Sequence, residues 1–595
     1  MSINDRINAL RQQMQKNKLD AWIIPGSDPH QSEYVADHWK GREWISGFTG
    51  SAGNIVITKK HAGLWTDSRY FIQAEKELKG SKMKLHKLKV AHTSEYIDWL
   101  KNNLKKGDKI GCDGMLFSLS QVRRLKMTFE PLGIKIIYSK DILKPVWKNR
   151  PALPSDKIFE HKVKYAGKSR AKKIAEIRRA MKEKNVDHHL VATLDDIAWI
   201  FNIRSSDVEC NPVAIAYAII SHRKSYLFIE AEKVPTNLRK QFQKDGIILK
   251  PYNSVEDFLR KIPKSNKVLL NSATINMRLY DALGSQQIVH GKTISTHLKA
   301  IKNKTEIKHI KNAMIKDGVA LTKLYMWLED LIGKGGSVSE AEVAVRLDEL
   351  RRAQGDYFGE SFSAIVGWKG NGAIVHYRPD PKDCATIKGR GILLLDSGGQ
   401  YIDGTTDITR TVAFGKPTKE QKENYTLVLK GHIGLGDLKF PKGTRGNQME
   451  ILARQPLWSQ GLNYGHGTGH GVGFFLNVHE GPQSIGSGIT AKAATVFEEG
   501  MLTSNEPGFY KTGEYGIRIE NLVLVEEDKK TAYGDFLKFD SVTLFPIDKN
   551  LIAYNLLTKR EVEWLNDYHS TVYKKISPFL NKKEKAWLKE KCSKI

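Results

Sequence analysis

Gly391-Ile-Leu-Leu-Leu-Asp-Ser-Gly-Gly-Gln-Tyr401 reads as an apolar strand that ends in a carboxylate, Asp396, and runs into a pair of glycines. Asp407 follows in Thr405-Thr-Asp-Ile-Thr-Arg-Thr411. Gly398, Gly399 and Gly404 between the two acids suit a bent hairpin that brings both carboxylates to one spot. Further along stand His470 in Gly465-His-Gly-Thr-Gly-His-Gly-Val-Gly473, Glu506 in Ser504-Asn-Glu-Pro-Gly-Phe509 and Glu520 in Gly516-Ile-Arg-Ile-Glu-Asn521. Taken one at a time, an Asp at a strand end or a Glu-Pro-Gly is an ordinary turn former. Glu520 is different, because it alternates with Ile517, Ile519, Leu522, Val523 and Leu524 in a strand expected to be buried. A buried carboxylate needs a cation or strong hydrogen bonds.

Four clustered carboxylates repel one another and shift their pKa values upward unless counter-charge is supplied. Two divalent ions supply +4 against −4, and a bridged pair can hold a hydroxide and polarise a carbonyl. Oxygen-rich ligation with one imidazole suits Mn²⁺, with Co²⁺, Fe²⁺ or Zn²⁺ as substitutes. The helical HExxH signature is absent, and His466 and His470 sit among glycines that would not hold a helix, which argues against a thermolysin-like zinc site. A dinucleotide fingerprint also fails: after Gly467 and Gly469 its third glycine would fall at Val472.

The chain around these motifs has 595 residues, enough for two to four domains, with 40% hydrophobic and 27% charged residues, as in ordinary globular proteins. Cys112, Cys210, Cys384 and Cys592 lie far apart and form no CxxC pair, so neither a disulfide framework nor a thiolate zinc site is expected. The N-terminus lacks a basic region followed by an apolar core, and the longest apolar run, Val213–Ile220, is far short of a span; a cytoplasmic protein without a membrane segment is expected. The net charge of +28 invites a nucleic-acid reading. Its surplus is dispersed and mostly lysine, however, with 11 basic residues in Lys157–Lys184 and 8 in Tyr573–Ile595. With neither zinc finger nor aromatic-basic motif, a solubilising surface is the better reading and no dedicated nucleic-acid site is expected.

Upstream of the carboxylates, an α/β pattern runs to about Pro151-Ala-Leu-Pro154, where a proline-rich hinge precedes a basic helical stretch at Lys168–Lys184. The two segments look like diverged copies. Trp44-Ile-Ser-Gly-Phe-Thr-Gly-Ser51 parallels Trp199-Ile-Phe-Asn-Ile-Arg-Ser-Ser206, and Gly63–Glu75 parallels Ser225–Glu232. A third unit starts near Ala300 with helical stretches at Lys302–Leu331 and Val338–Ala353, and continues as glycine-rich strands.

The order Asp396, Asp407, His470, Glu506, Glu520, with the phrases LLLDSGGQY, TTDITR, GTGHGVG, NEPG and RIEN, resembles the five-ligand pattern of the pita-bread metallopeptidases. Within them the likeness is to the large three-domain Xaa-Pro aminopeptidases, and it covers nearly the whole chain, including Ile23–Tyr34, Trp65–Phe71 and Ser205–Pro212. A short insertion-like segment at Ile485–Ile489 departs from the pattern.

The resemblance implies an α/β architecture. Creatinase-like domains at 1–152 and 153–300 would precede a pita-bread domain at 301–530 and a C-terminal extension at 531–595 containing the amphipathic stretch Glu561–Tyr573. It implies hydrolysis of the first peptide bond of short peptides with proline second, on two divalent ions, in a homodimer. Asp396 would bind one ion, Asp407 and Glu520 would bridge, and His470 and Glu506 would complete the second, with Glu506 also moving protons. His376 and His479 would contact the substrate and the developing charge. His466 would line the pocket, Arg518 would support the metal carboxylates and the substrate site, and Arg69 would bind peptide beyond the cleaved bond. A prolidase-like dipeptidase, another pita-bread hydrolase, and a non-catalytic binding protein on the same fold are the alternatives.

Overall fold

The computed structural model describes residues 1–89, 93–488 and 490–595; Ile489, the end of the insertion-like segment, lies outside them. The chain divides into two compact units, one of Met1–Val163 with Lys168–Thr296 and one of Lys164–Gly167 with His297–Ile595.

The first unit holds two six-stranded mixed sheets. One is built from β1 (Ala21–Ile24), β2 (Asn54–Thr58), β3 (Ala62–Thr66), β4 (Lys84–Lys87), β5 (Lys109–Cys112) and β6 (Lys135–Ile137), in the order β4-β3-β2-β1-β5-β6. The other uses β7 (His188–Val191), β8 (Tyr217–Ser221), β9 (Ser225–Phe228), β10 (Ile247–Lys250), β11 (Lys267–Leu270) and β12 (Gln287–His290), in the order β10-β9-β8-β7-β11-β12. Strand senses agree position by position: the central strand pairs antiparallel on one side and parallel on the other in both. The expected duplication is therefore present as topology, and the similar segments beginning at Gly63 and Ser225 fall on the equivalent strands β3 and β9. The two copies also touch at equivalent points. Ser118 and Asn276, each the N-cap of the helix after its sheet's parallel strand, bridge one another, and Leu119 and Met277 donate across to Ile275 and Phe117.

The second unit opens with the 30-residue helix Lys304–Gly333, started by an Asn303/Glu306 capping box. Its sheets are antiparallel. One pairs Tyr357–Trp368 and Ile408–Phe414 on either side of Gly391–Tyr401. The other runs Lys439–Pro441, Gly534–Ser541, Asn521–Thr531, Leu502–Asn505, Gly469–Gly471, Glu480–Ile485. Val428, Leu429, Leu502, Leu524, Leu565, Val572 and Leu588 share one core, so the C-terminal helices Lys559–Ile576 and Lys582–Lys591 are part of it. Arg410 pins them there. Its buried guanidinium donates to the carbonyls of Glu520, Phe545 and Pro546, to Asn521 Oδ1 and to Tyr568 Oη. Glu520 itself departs from the expected continuous strand: it sits in the break between Tyr515–Arg518 and Asn521–Thr531, where the chain leaves a hairpin to enter the larger sheet.

Among the described residues, no helix is long and apolar enough to cross a membrane. The core also buries two histidines, His432 and His569, both 0% exposed; His569 Nε2 accepts from the Ile547 amide at 3.0 Å. Burial, followed by nearby cationic side chains, pushes each down to about 3. A folded-state pKa below the unfolded value of about 6.5 means that the unfolded chain binds more protons at acid pH. Stability linked to these rings is thus complete above pH 6.5 and is lost on acidification, by about 1.4 kcal/mol per pH unit for each ring until its folded pKa is reached. Comparing thermal unfolding midpoints of wild type and His569→Gln from pH 7 to pH 4.5 checks this: the wild-type midpoint should fall more steeply, and parallel curves would refute the linkage.

Candidate metal centre

Each proposed ligand is placed by a short element of the second unit. Asp396 lies within the strand Gly391–Tyr401, opposite Ile365 on one side and Thr409 on the other. Asp407 immediately precedes the strand Ile408–Phe414, so the glycine-bearing hairpin returns it towards Asp396 as the spacing suggested. His470 is the middle residue of Gly469–Gly471, Glu506 follows Leu502–Asn505, and Glu520 occupies the strand break. Ligand atoms of Asp407, His470 and Glu520 all lie within 4.8 Å of one another. His470 Nε2 is 3.5 Å from both Asp407 Oδ2 and Glu506 Oε1. Asp396 joins through Arg518, whose guanidinium donates to its Oδ2 at 2.6 Å.

Hydrogen bonds fix the orientation of these groups. His470 Nδ1 lies 3.1 Å from the Gly471 carbonyl oxygen, which places the ring proton on Nδ1 and leaves the Nε2 lone pair facing the carboxylates. The Thr409 hydroxyl donates to Glu520 Oε2 at 2.8 Å, and the Glu520 and Glu506 amides donate to the carbonyls of Thr409 and Thr468. Ser504 Oγ donates to Glu506 Oε1.

The charges are in conflict. Burial first, and then the neighbouring carboxylates, hold Asp407 and Glu520 well above the usual carboxylate range. Burial pushes Glu506 up to about 7, although Arg518 works against it. Asp396 Oδ1 is buried and has no hydrogen-bond partner among the described residues. An orphaned anionic oxygen beside crowded carboxylates and an imidazole lone pair is the donor set of a divalent-cation site, so the residues fit metal ions.

Of the other expected residues, His479 meets His470 edge-on, ring centroids 4.4 Å apart. Its neighbour Glu480 is buried against two ammonium groups, those of Lys299 and Lys302. His466 Nε2 is 2.8 Å from Tyr510 Oη, which accepts from Arg518 at 2.5 Å. Arg518 therefore touches Asp396, Tyr510, Thr409 and, at 3.3 Å, the Val375 carbonyl next to His376. This position suits support of the carboxylates. Arg69 belongs to the first unit, where Nε and Nη2 form a two-point pair with Asp67, each 2.8 Å long. Sequence reasoning missed Tyr510 and Thr409. Thr409 was inside a quoted phrase, whereas Tyr510 carried no signal beyond following Asn-Glu-Pro-Gly.

The comparisons with known proteins agree along the chain. Residues 6–141 and 149–306 each match a creatinase/prolidase N-terminal domain, 308–527 match metallopeptidase family M24, and 535–595 match the C-terminal region of that peptidase. A probable Xaa-Pro aminopeptidase P of Laccaria bicolor is 40% identical, covering 100% of this chain and 94% of that protein. Xaa-Pro aminopeptidase 1 of Dictyostelium discoideum is 41% identical, over 99% and 96%. The crystal structure of the Caenorhabditis elegans X-prolyl aminopeptidase, described as a cytosolic enzyme with a di-nuclear active site, superposes over the whole of both chains with a TM-score of 0.95 at 33% identity. A Bacillus anthracis Xaa-Pro dipeptidase, 24% identical with a TM-score of 0.50, shares the fold over 64% of this chain. Sheets, carboxylate cluster and full-length likeness converge: the chain belongs to metallopeptidase family M24, within its Xaa-Pro aminopeptidase P group.

Proposed function

We propose that this protein is a metal-dependent aminopeptidase that releases the N-terminal residue from short peptides with proline second. The observation that carries this reading is the convergence of Asp407, His470 and Glu520, flanked by Asp396 and Glu506, in a chain whose full-length relatives are Xaa-Pro aminopeptidases. Asp396, Asp407, His470, Glu506 and Glu520 would hold two divalent ions. Manganese suits the oxygen-rich set best. When bound, the ions would lower the pKa of an attacking water and polarise the scissile carbonyl. Glu506 would take up the proton of the attacking water and hand it to the leaving proline nitrogen. His479 and His376 donate to the carbonyl oxygen as negative charge develops on it. The free amine of the substrate binds near Asp396. Arg518 fixes Asp396, His466 lines the pocket through Tyr510, and Arg69 binds the peptide beyond the cleaved bond. Domain limits near 152, 300 and 530, pairing into a homodimer and a cytoplasmic location complete the reading carried over from the family.

The reading is tested by assaying Arg-Pro-Pro, Gly-Pro and an Ala-Ala peptide side by side, with Mn²⁺ and with a chelator. Arg-Pro-Pro should be cleaved at its first bond and chelation should abolish turnover, whereas exclusive cleavage of Gly-Pro would establish a dipeptidase instead. Glu520→Ala should lose both metals by elemental analysis, and with them all turnover above background. A fully active variant would sink the ligand assignment. Arg69→Ala should keep both metals and raise KM for the tripeptide about tenfold, as expected for losing one charge-assisted hydrogen bond; an unchanged KM, or a lost metal, counts against the role given to Arg69.

A further inference from the structure

The segment 368–385 carries His376 and contains little regular structure: a single short helical turn at Lys369–Ala373 before the strand Thr386–Ile387. It is held from beneath by one carboxylate. Glu340, the first residue of the helix Glu340–Arg352, is 0% exposed. Its Oε1 accepts from the Trp368 amide at 2.6 Å and from Asn371 Nδ2 at 3.1 Å. Its Oε2 accepts from Asn371 Nδ2 at 3.1 Å, the Tyr377 hydroxyl at 2.7 Å and the Ala385 amide at 2.8 Å. The Glu340 amide in turn donates to the Ala385 carbonyl at 3.1 Å, and Asn371 also donates to Tyr377 Oη. One side chain thus grips both ends and the middle of the segment. Its donors are neutral, and a carboxylate at the start of a helix is further favoured by the amide dipoles there.

The grip brackets His376. On one side Val375 gives its carbonyl to Arg518, which also holds Asp396; on the other, Tyr377 gives its hydroxyl to Glu340. A close backbone approach pins the same segment further up: a Cβ on Gly516 would lie 1.7 Å from the Gly372 carbonyl oxygen, so that strand position admits only glycine.

We propose that Glu340 is a positioning residue that sets His376 against the substrate carbonyl by clamping residues 368–385. The inference rests on the reading of His376 given above. Glu340→Gln is a sharp probe, because the amide keeps the shape but turns one oxygen into a donor. The two backbone amides, Trp368 on Oε1 and Ala385 on Oε2, cannot reverse their hydrogen bonds. Either orientation of the glutamine therefore sets an NH₂ against one of them and frees one end of the segment.

The test is a double-mutant cycle on Arg-Pro-Pro hydrolysis, with metal content measured in every variant. Glu340→Gln should keep both metals and lower kcat about ten- to a hundredfold, as a displacement of about 1 Å does. His376→Gln, whose amide retains a donor and therefore measurable turnover, should also be impaired. The double variant should match His376→Gln within about twofold, because a residue acting through His376 has nothing left to position. Tyr377→Phe, which removes one bond of the clamp without a charge change, should show a smaller loss that likewise disappears in the His376→Gln background; it replaces Glu340→Gln in the cycle should that variant not fold. Multiplicative losses in the double variant would overturn the inference while leaving the role of His376 intact. A His376→Gln enzyme with wild-type kinetics would overturn that role and the inference with it.

Discussion

Bringing Asp396, Asp407, Glu506 and Glu520 into a water-poor cleft is the constraint to which the second unit answers. At Asp407, Glu506 and Glu520, burial and neighbouring carboxylates both favour the protonated forms, so the polypeptide opposes these anions until counter-charge arrives. Arg518 supplies part of it, and the orphaned oxygen of Asp396 marks where more is wanted. Two antiparallel sheets carry the proposed ligands, with Asp396 and His470 inside strands, Asp407 and Glu506 next to strand ends and Glu520 in a strand break, and the hydroxyls of Thr409 and Ser504 donate to Glu520 and Glu506.

The supporting contacts form a connected chain. His466 reaches Tyr510, Tyr510 reaches Arg518, and Arg518 reaches both Asp396 and the backbone beside His376. Glu340 closes that chain from the far side of the same segment. The proposed metal ligand Asp396 and the segment that carries His376 therefore share supporting hydrogen bonds.

Much of this was legible in the sequence. The proposed ligands stand out because each sits in a short phrase with glycine or proline close by, as with Asp396 before Gly398-Gly399 and Glu506 before Pro507-Gly508. The duplication showed in repeated phrases, and the shared strand order gives it physical form. The break at Glu520 was not visible, because alternation of apolar residues continues across it while the backbone changes partners. Glu340 read as one more acidic residue at the start of a helix, since nothing in Ser339-Glu-Ala-Glu342 says that donors 28 to 45 residues away converge on it. Contacts at such separations have no periodicity to betray them. Arg69 remained a matter of family likeness, and its pairing with Asp67 became visible only in three dimensions.

Arg410 has a consequence for the order of events during synthesis. Its guanidinium ties the backbone of Glu520 to Phe545 and to Tyr568 in the C-terminal helix. A nascent chain that has emerged only to residue 540 already carries all five proposed ligands, but it has a buried guanidinium deprived of several acceptors and a core lacking Leu565 and Val572. The ties on the strand break that carries Glu520 are complete only once the chain is present as far as Tyr568. Placement of Glu520 thereby depends on groups that follow it in the sequence, which makes the C-terminal helix a structural partner of the proposed metal centre.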